Sequence, residues 1–261
     1  MKNSVSVIIE ARMTSSRLPG KVLKKINNKE ILRIIVERLK FSKKLNKIIV
    51  ATTTDKKDDQ IIKLLKKLNV PYYRGSKENV LSRIINCAKK YKVKHIMRVT
   101  SDNPLTDYFL IDEMINYYRK NNIYDYLTNN NFANDKKRKI AYGLDLSLFS
   151  LKSLIKVQSL VKKNKIFQEY PTSYYYSKGK KKFKIKNFNH SKNLIIDRDF
   201  RLTVDTPQDL IFFKKVFNIY FKTFKKDNYL FLNNLRKILH KNPKLKILNK
   251  NVIQFKPVLN Y

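Results

Sequence analysis

The chain has no tryptophan, one cysteine, four glycines and only 20 Asp+Glu against 58 Lys+Arg. Each shortage excludes something. The lone thiol of Cys87 cannot close an internal disulfide, and no Cys or His neighbour stands at metal-ligand spacing, so neither a disulfide scaffold nor a zinc site fits. No stretch approaches the roughly 20 apolar residues that span a bilayer. The apolar run in MKNSVSVIIEAR is too short for a secretory leader. A cytoplasmic protein with no membrane partner is expected. The glycine-rich phosphate motifs G-x-x-x-x-G-K-[ST] and G-x-G-x-x-G are both absent.

The shortage of acid leaves a net charge of +38. A polyanionic partner is one explanation. The abundance of Lys, Asn, Ile and Tyr throughout favours another, an A+T-rich coding sequence. Lysines are spread along the chain and outnumber arginines, whereas a reader of base edges would cluster Arg, so no specific nucleic-acid partner is expected.

What is present is enough for a large core: 43% hydrophobic residues, with 15 Phe and 16 Tyr. A main domain over 1–221 and a helical, basic C-terminal extension over 222–261 are expected. Short β-branched runs alternate with amphipathic segments through the first half. Val5–Ala11, Lys47–Thr52, Val70–Tyr73 and His95–Thr100 read as strands. Glu30–Leu39, Asp58–Leu68, Asn79–Tyr91 and Asp107–Tyr118 carry apolar residues at helical spacing. This alternation predicts an α/β protein with a parallel sheet covered by helices on both faces. Beyond Tyr124 the pattern loosens. DYLTNN reads as a strand or its end, Asn129–Lys139 as a loop, Gly143–Phe149 as extended and Leu151–Val161 as helical. Lys178–Lys192 reads as a hairpin or irregular strand, Arg201–Val204 as a short strand, Pro207 to about Phe221 as a helix opened by proline, and Leu230–Leu239 as a last helix.

Three stretches carry chemistry. ARMTSSRLPGKVL follows the first strand, where the carboxyl ends of an open α/β sheet face the ligand crevice. Ser15 and Ser16 can donate hydrogen bonds, Gly20 admits close backbone approach, and Arg12, Arg17 and Lys21 offer charge-assisted bonds to phosphate. Chemistry alone leaves two readings, a polyphosphate site or a solvated basic loop. In VTSDNPL a strand delivers Asp102 to the same edge, as a Mg²⁺ ligand or as a cap for the following turn. In RLTVDTPQD a strand delivers Asp205, either to share that metal or to serve the helix start, where Thr206 and Asp209 stand at capping-box spacing. Smaller signals are Arg74-Gly75-Ser76 after a strand and Gly143-Leu144-Asp145 opening another; with Gly20, these glycines point to places where a Cβ is unwelcome.

Six blocks in order, VSVIIEARMTSSRLPGKVL, VATTTDKKDD, YRGSKENVLSR, RVTSDNPLTD, GLDLSLFS and RLTVDTPQDL, resemble the cytidylyltransferases of the spore-coat polysaccharide protein F type, relatives of the CMP-Kdo and CMP-sialate synthetases. The resemblance covers about residues 4–220. It implies a nucleotide-diphospho-sugar transferase fold (an α/β, Rossmann-like mixed, mainly parallel sheet with helices on both faces), CTP as nucleotide, Mg²⁺ as cofactor, a small acidic sugar or similar acceptor for surface glycan biosynthesis, and a homodimer. It implies that Arg12, Arg17 and Lys21 bind the triphosphate, with Ser15, Gly20 and Gly75 in the nucleotide loops. Asp102 and Asp205 would ligate Mg²⁺, and Ala11, Thr52, Arg74 and Thr100 would surround the nucleoside. Catalysis falls to Arg12, Lys21, Asp102 and Asp205. The chain departs from the relatives at Glu10, Ser101 and Asn103, and over Asn164–Pro171, where Glu169 and Pro171 are retained. A glycosyltransferase of the same fold, using a nucleotide sugar, is the alternative; its Asp-x-Asp signature is not at Asp102.

Overall fold

In the computed structural model, residues 4–121, 123–130, 139–162, 164–190, 199–224 and 232–254 are described. The strands are β1 (Val5–Glu10), β2 (Lys25–Ile26), β3 (Lys29–Glu30), β4 (Leu45–Thr53), β5 (Tyr72–Gly75), β6 (His95–Thr100), β7 (Tyr126–Thr128), β8 (Ser147–Ser150) and β9 (Ile185–Asn187). The helices are α1 (Ile31–Leu39), α2 (Asp59–Lys67), α3 (Val80–Lys90), α4 (Tyr108–Lys120), α5 (Leu151–Leu160), α6 (Lys165–Glu169), α7 (Ser173–Tyr176), α8 (Pro207–Phe224) and α9 (Leu232–Lys241).

Seven strands form one sheet in the order β5-β4-β1-β6-β8-β7-β9. All neighbours are parallel except those of β8, which runs antiparallel to β6 and β7. The expected α/β sheet is therefore present. Alternate residues of each central strand feed opposite faces. Val5, Val7 and Ile9 of β1 join the core under α1, α2, α4 and α8, while Ile8 joins the core under α3 and α5. Tyr126, Phe149 and Tyr175 stack in the second core, the first and last 4.5 Å apart between centroids, which is where part of the aromatic surplus goes.

Helix starts follow local side chains. Asn79 caps α3, Asp107 caps α4, Ser150 caps α5 and Asn164 caps α6, each accepting a first-turn backbone N–H. Thr206 and Asp209 close a reciprocal capping box ahead of Pro207 on α8.

The structure departs from the sequence expectation in places. β2 and β3 form a hairpin whose turn, Asn27-Asn28, has φ of 47° and 63° at its two residues. Of the two readings of the Lys178–Lys192 stretch, the described residues carry the irregular strand and show no hairpin. Its strand β9 pairs parallel with β7. Arg201–Val204 forms only a single bridge, Arg201 to Tyr142, because the backbone there turns to meet another loop rather than a strand. Most of the loop expected over Asn129–Lys139 and the start of the helix expected at Leu230 lie outside the described residues. In the C-terminal extension, Leu232, Leu235, Ile238, Leu239 and Leu245 are buried in the same core as α8. A 3₁₀ helix over Pro243–Leu248 follows α9. Among the described residues no helix is long and apolar enough to cross a membrane.

Candidate functional site

The parallel strands β1, β4, β5 and β6 end at one edge, and the chemistry-bearing loops leave from there. The 11–20 loop is tethered at several points. Ala11 N–H donates to Ala51 O at 3.2 Å, and Gly20 N–H folds back to Met13 O at 2.9 Å. Gly20 has φ +67°, a left-handed turn that tips the chain into a short 3₁₀ turn beginning at Lys21. Leu18 and Val22 are buried and act as apolar anchors on either side. The fully buried carboxylate of Asp58 accepts Met13 N–H at 2.8 Å, and also the Thr53 N–H and the hydroxyls of Thr52 and Thr53. The loop is thereby bolted to the end of β4.

Lys21 is thus directed inward. Its Nζ donates to Asp102 Oδ2 at 2.7 Å and to Asp205 Oδ1 at 2.8 Å, and Arg17 reaches the same Asp205 oxygen at 3.0 Å. The two carboxylates named from sequence therefore share one cation, although they lie 103 positions apart in the chain (205 − 102). The backbone explains the meeting: Val204 N–H donates to Asp102 O at 2.8 Å. Further along, Leu202 N–H donates to Tyr142 O at 2.7 Å. Gly143 makes that crossing possible. It has φ +96°, and a Cβ there would stand 1.9 Å from Leu202 O. On the other side, buried Arg38 of α1 fixes the turn after Asp102 by donating to Thr106 O and to Asp107.

The other oxygen of each carboxylate is held differently. Asp102 Oδ1 accepts from Thr100 Oγ1 at 2.6 Å. Asp205 Oδ2 accepts from Arg201 Nη2 at 2.7 Å, and Arg201 Nε donates to Asp209 at 2.9 Å. Burial favours neutral forms, yet at Asp102 the Lys21 charge and hydrogen bonds outweigh it and hold the carboxyl below the usual range. Burial likewise disfavours the Lys21 ammonium, and the two carboxylates overcome this and hold its pKa above the ordinary value.

The remaining sequence candidates lie at the ends of the same parallel strands, and most are held by other partners. Arg12 and Ser15 are half-buried in the loop, and Arg12 lies 3.6 Å from Glu169 of α6, an exposed pairing of little energetic weight. Thr52 is fully buried against Asp58. Arg74 is spread over Thr53 O, Asp55 O and Asp59, so it braces the end of β4. Gly75 lies against Tyr73 and Arg83, with 2.7 Å between a Cβ there and Tyr73. Sequence reasoning missed Arg201, Asp58 and the partner of Glu10, which is Arg98 (Nη2 to Oε2, 3.0 Å). The spacing of Arg201, Asp205 and Asp209, four apart twice over, was the available signal.

A mainly parallel sheet whose strand ends gather a cationic loop around paired carboxylates defines a protein of the nucleotide-diphospho-sugar transferase fold. The profile of the family described as cytidylyltransferase matches residues 6–241, and the chain belongs to that family. An uncharacterized protein of Methanocaldococcus jannaschii is 38% identical over 250 residues, 95% of each chain. The spore coat polysaccharide biosynthesis protein SpsF of Bacillus subtilis is 35% identical over 132 residues, 49% of this chain and 55% of its own. Among solved structures, a cytidylyltransferase from Leptospira borgpetersenii superposes with TM-score 0.84 at 30% identity, covering 97% of this chain and 99% of that one. A CMP:2-keto-3-deoxy-manno-octonic acid synthetase complexed with CTP superposes with TM-score 0.63 at 15% identity, covering 83% of this chain and 99% of that one, a likeness of fold alone.

Proposed function

We propose that this cytidylyltransferase moves CMP from CTP to a small acidic sugar or related hydroxyl acceptor, with release of pyrophosphate, and that it serves surface glycan synthesis with Mg²⁺ as cofactor. The observation that carries the reading is the convergence of Asp102 Oδ2 and Asp205 Oδ1 on one cation, Lys21 Nζ. That position suits a hard divalent ion, which prefers carboxylate oxygen. Among the described residues no group of three or more His, Cys, Asp or Glu could hold a metal. Two protein carboxylates, with phosphate oxygens and water completing the shell, is the pattern typical of Mg²⁺.

Asp102 and Asp205 would hold the ion, which supplies charge neutralisation at phosphate and orientation of the acceptor hydroxyl. The acceptor oxygen attacks the α-phosphorus, the bond from that phosphorus to the bridging oxygen of the β-phosphate breaks, and pyrophosphate leaves. The hydroxyl proton passes to solvent. His95 and His190 are occupied in structural hydrogen bonds, and His240 lies on α9, so none serves the cluster as a base. Positioning and electrostatics carry most of such a transfer. Arg12, Arg17 and Lys21 offset charge on the triphosphate and on the leaving pyrophosphate. Ser15 and the Gly20 turn present the loop to phosphate. Ala11, Thr52, Arg74, Gly75 and Thr100 frame the nucleoside pocket, Thr52 and Arg74 by bracing its wall. A homodimer is the expected assembly, open to light scattering.

A pyrophosphate-release assay with CTP, UTP, ATP and GTP, with and without Mg²⁺, against acidic sugars and alditol phosphates tests the reading. Mg²⁺-dependent release with CTP and one acceptor is expected. A folded protein that neither binds CTP nor releases pyrophosphate from it overturns the proposal.

A further inference from the structure

Arg201 is buried, and each of its three guanidinium nitrogens is engaged. Nε donates to Asp209 Oδ1 at 2.9 Å, Nη2 to Asp205 Oδ2 at 2.7 Å, and Nη1 to Gln254 Oε1. Its backbone is held as well: Asn249 Nδ2 donates to Arg201 O at 3.0 Å and to Asp209 Oδ1 at 3.0 Å. Asn249 and Gln254 belong to the C-terminal extension, whose role neither the motifs nor the family reading supplies. A planar guanidinium bonded at each of its three nitrogens cannot rotate without breaking a charge-assisted bond, so it fixes whatever its fork holds.

We propose that the C-terminal segment is a positioning part of the active site: Asn249 and Gln254 seat Arg201, and Arg201 holds Asp205 so that a single oxygen, Oδ1, faces the shared cation position. Asn249 and Gln254 place polar side chains on an ion-paired arginine, which covering the core does not require. Leu245 already supplies the apolar cover, buried at 8% exposure. Asn249 is itself buried at 3% exposure, and among the described residues its amide donates to Arg201 O and Asp209 Oδ1. Partners one step removed from a metal ligand orient it and tune its affinity. The segment therefore acts through Arg201 on Asp205, and touches no substrate. This inference rests on the metal role assigned to Asp102 and Asp205 above.

The test reads metal affinity rather than turnover. Mn²⁺ binding to the full chain is measured by water-proton relaxation enhancement, with CTP present and no acceptor, alongside thermal melting. The double variant Asn249→Ala/Gln254→Ala is expected to bind Mn²⁺ about tenfold more weakly, within the span typical of such supporting residues. Arg201→Lys keeps the charge but loses the fork, and is expected to weaken binding in the same way. Leu245→Ala removes core cover from the same segment without touching Arg201. It is expected to lower the melting temperature and leave Mn²⁺ affinity alone. Gln254→Ala by itself alters only a half-exposed side chain and gives a smaller loss in the same direction should the double variant not fold. Unchanged Mn²⁺ affinity in Gln254→Ala and Arg201→Lys overturns the inference while leaving the proposed reaction standing. An equal loss in Leu245→Ala shows a merely structural segment and also overturns it. Failure of the unmodified protein to bind Mn²⁺ removes the metal reading itself, and this inference with it.

Discussion

Asp102 and Asp205 arrive at the same cation by different means. Asp102 follows β6, a regular strand paired along its length with β1, and its side chain keeps 23% exposure. One hydroxyl, that of Thr100, steadies its second oxygen. Asp205 follows a stretch with no ladder beyond one bridge, at 7% exposure, and its second oxygen rests on a buried arginine. A sheet positions a carboxylate through backbone pairing. An irregular loop achieves the same only by accumulating ion pairs, a capping box and a glycine crossing. The second method places more charge out of water and depends on more residues staying in place.

Replacing each carboxylate by its amide tests that contrast most directly. Asp102→Asn and Asp205→Asn should each cut turnover by about a hundredfold or more, the scale of losing one preorganised electrostatic group. Their stabilities should diverge. Asp205→Asn strips a partner from buried Arg201 and from Lys21 together and should cost about 3 kcal/mol, whereas Asp102→Asn should cost about 1 kcal/mol. Urea unfolding of both variants measures the difference, and equal losses would break the contrast. Near-wild-type turnover in either variant would remove the metal role.

Gly143→Ala strikes only the irregular side. A Cβ 1.9 Å from Leu202 O must push the 201–205 segment away, at a backbone φ that L residues avoid. A loss of about 2 to 4 kcal/mol is expected, with activity falling alongside because Asp205 moves with its segment. Stability unchanged within about 0.5 kcal/mol would mean that the crossing does not hold Asp205.

The smallest effect is in pH. The folded pKa of Asp102 is depressed, so its contribution to stability is fully present above the ordinary carboxylate value of about 3.9 and is lost as pH falls through the folded value below it. That of Lys21 is raised, so its contribution is fully present below about 10.4 and is lost as pH rises through a still higher value. The stability gap between the protein and a Lys21→Met variant should therefore hold steady near neutral pH and close in acid. A gap that widens in acid would show that Lys21 does not serve Asp102.

The same contrast marks what the sequence could show. β1, β4, β6 and α1 to α4 match their expected spans to within about two residues, because buried β-branched runs and helical spacing repeat often enough to be read. Strands of two or three residues, β2, β3, β7 and β9, are too short to display a period. Only the Asn27-Asn28 pair signalled the β2–β3 hairpin. Lys21, Asp102 and Asp205 were legible as residue types at strand ends. Their meeting at one ammonium was not, since it depends on the Gly143 crossing and on Val204 lying against Asp102. Arg201 was passed over as the start of a strand because its partners Asn249 and Gln254 lie some fifty residues downstream.

The cluster at Lys21 draws on the 11–20 loop and, through Asp205 and Arg201, on Gln254. During translation, residues 5 to 100 can pair their central strands as soon as they emerge, yet the Asp205 clamp has no Gln254 to close on until residue 254 has been made. A chain cut short after α8 would keep Asp58, Asp102 and Asp205, the carboxylates that Met13 and Lys21 meet, and lack the brace behind one of them. The closing of the clamp is in this sense an ordered event, and its completion reports that synthesis has passed Gln254.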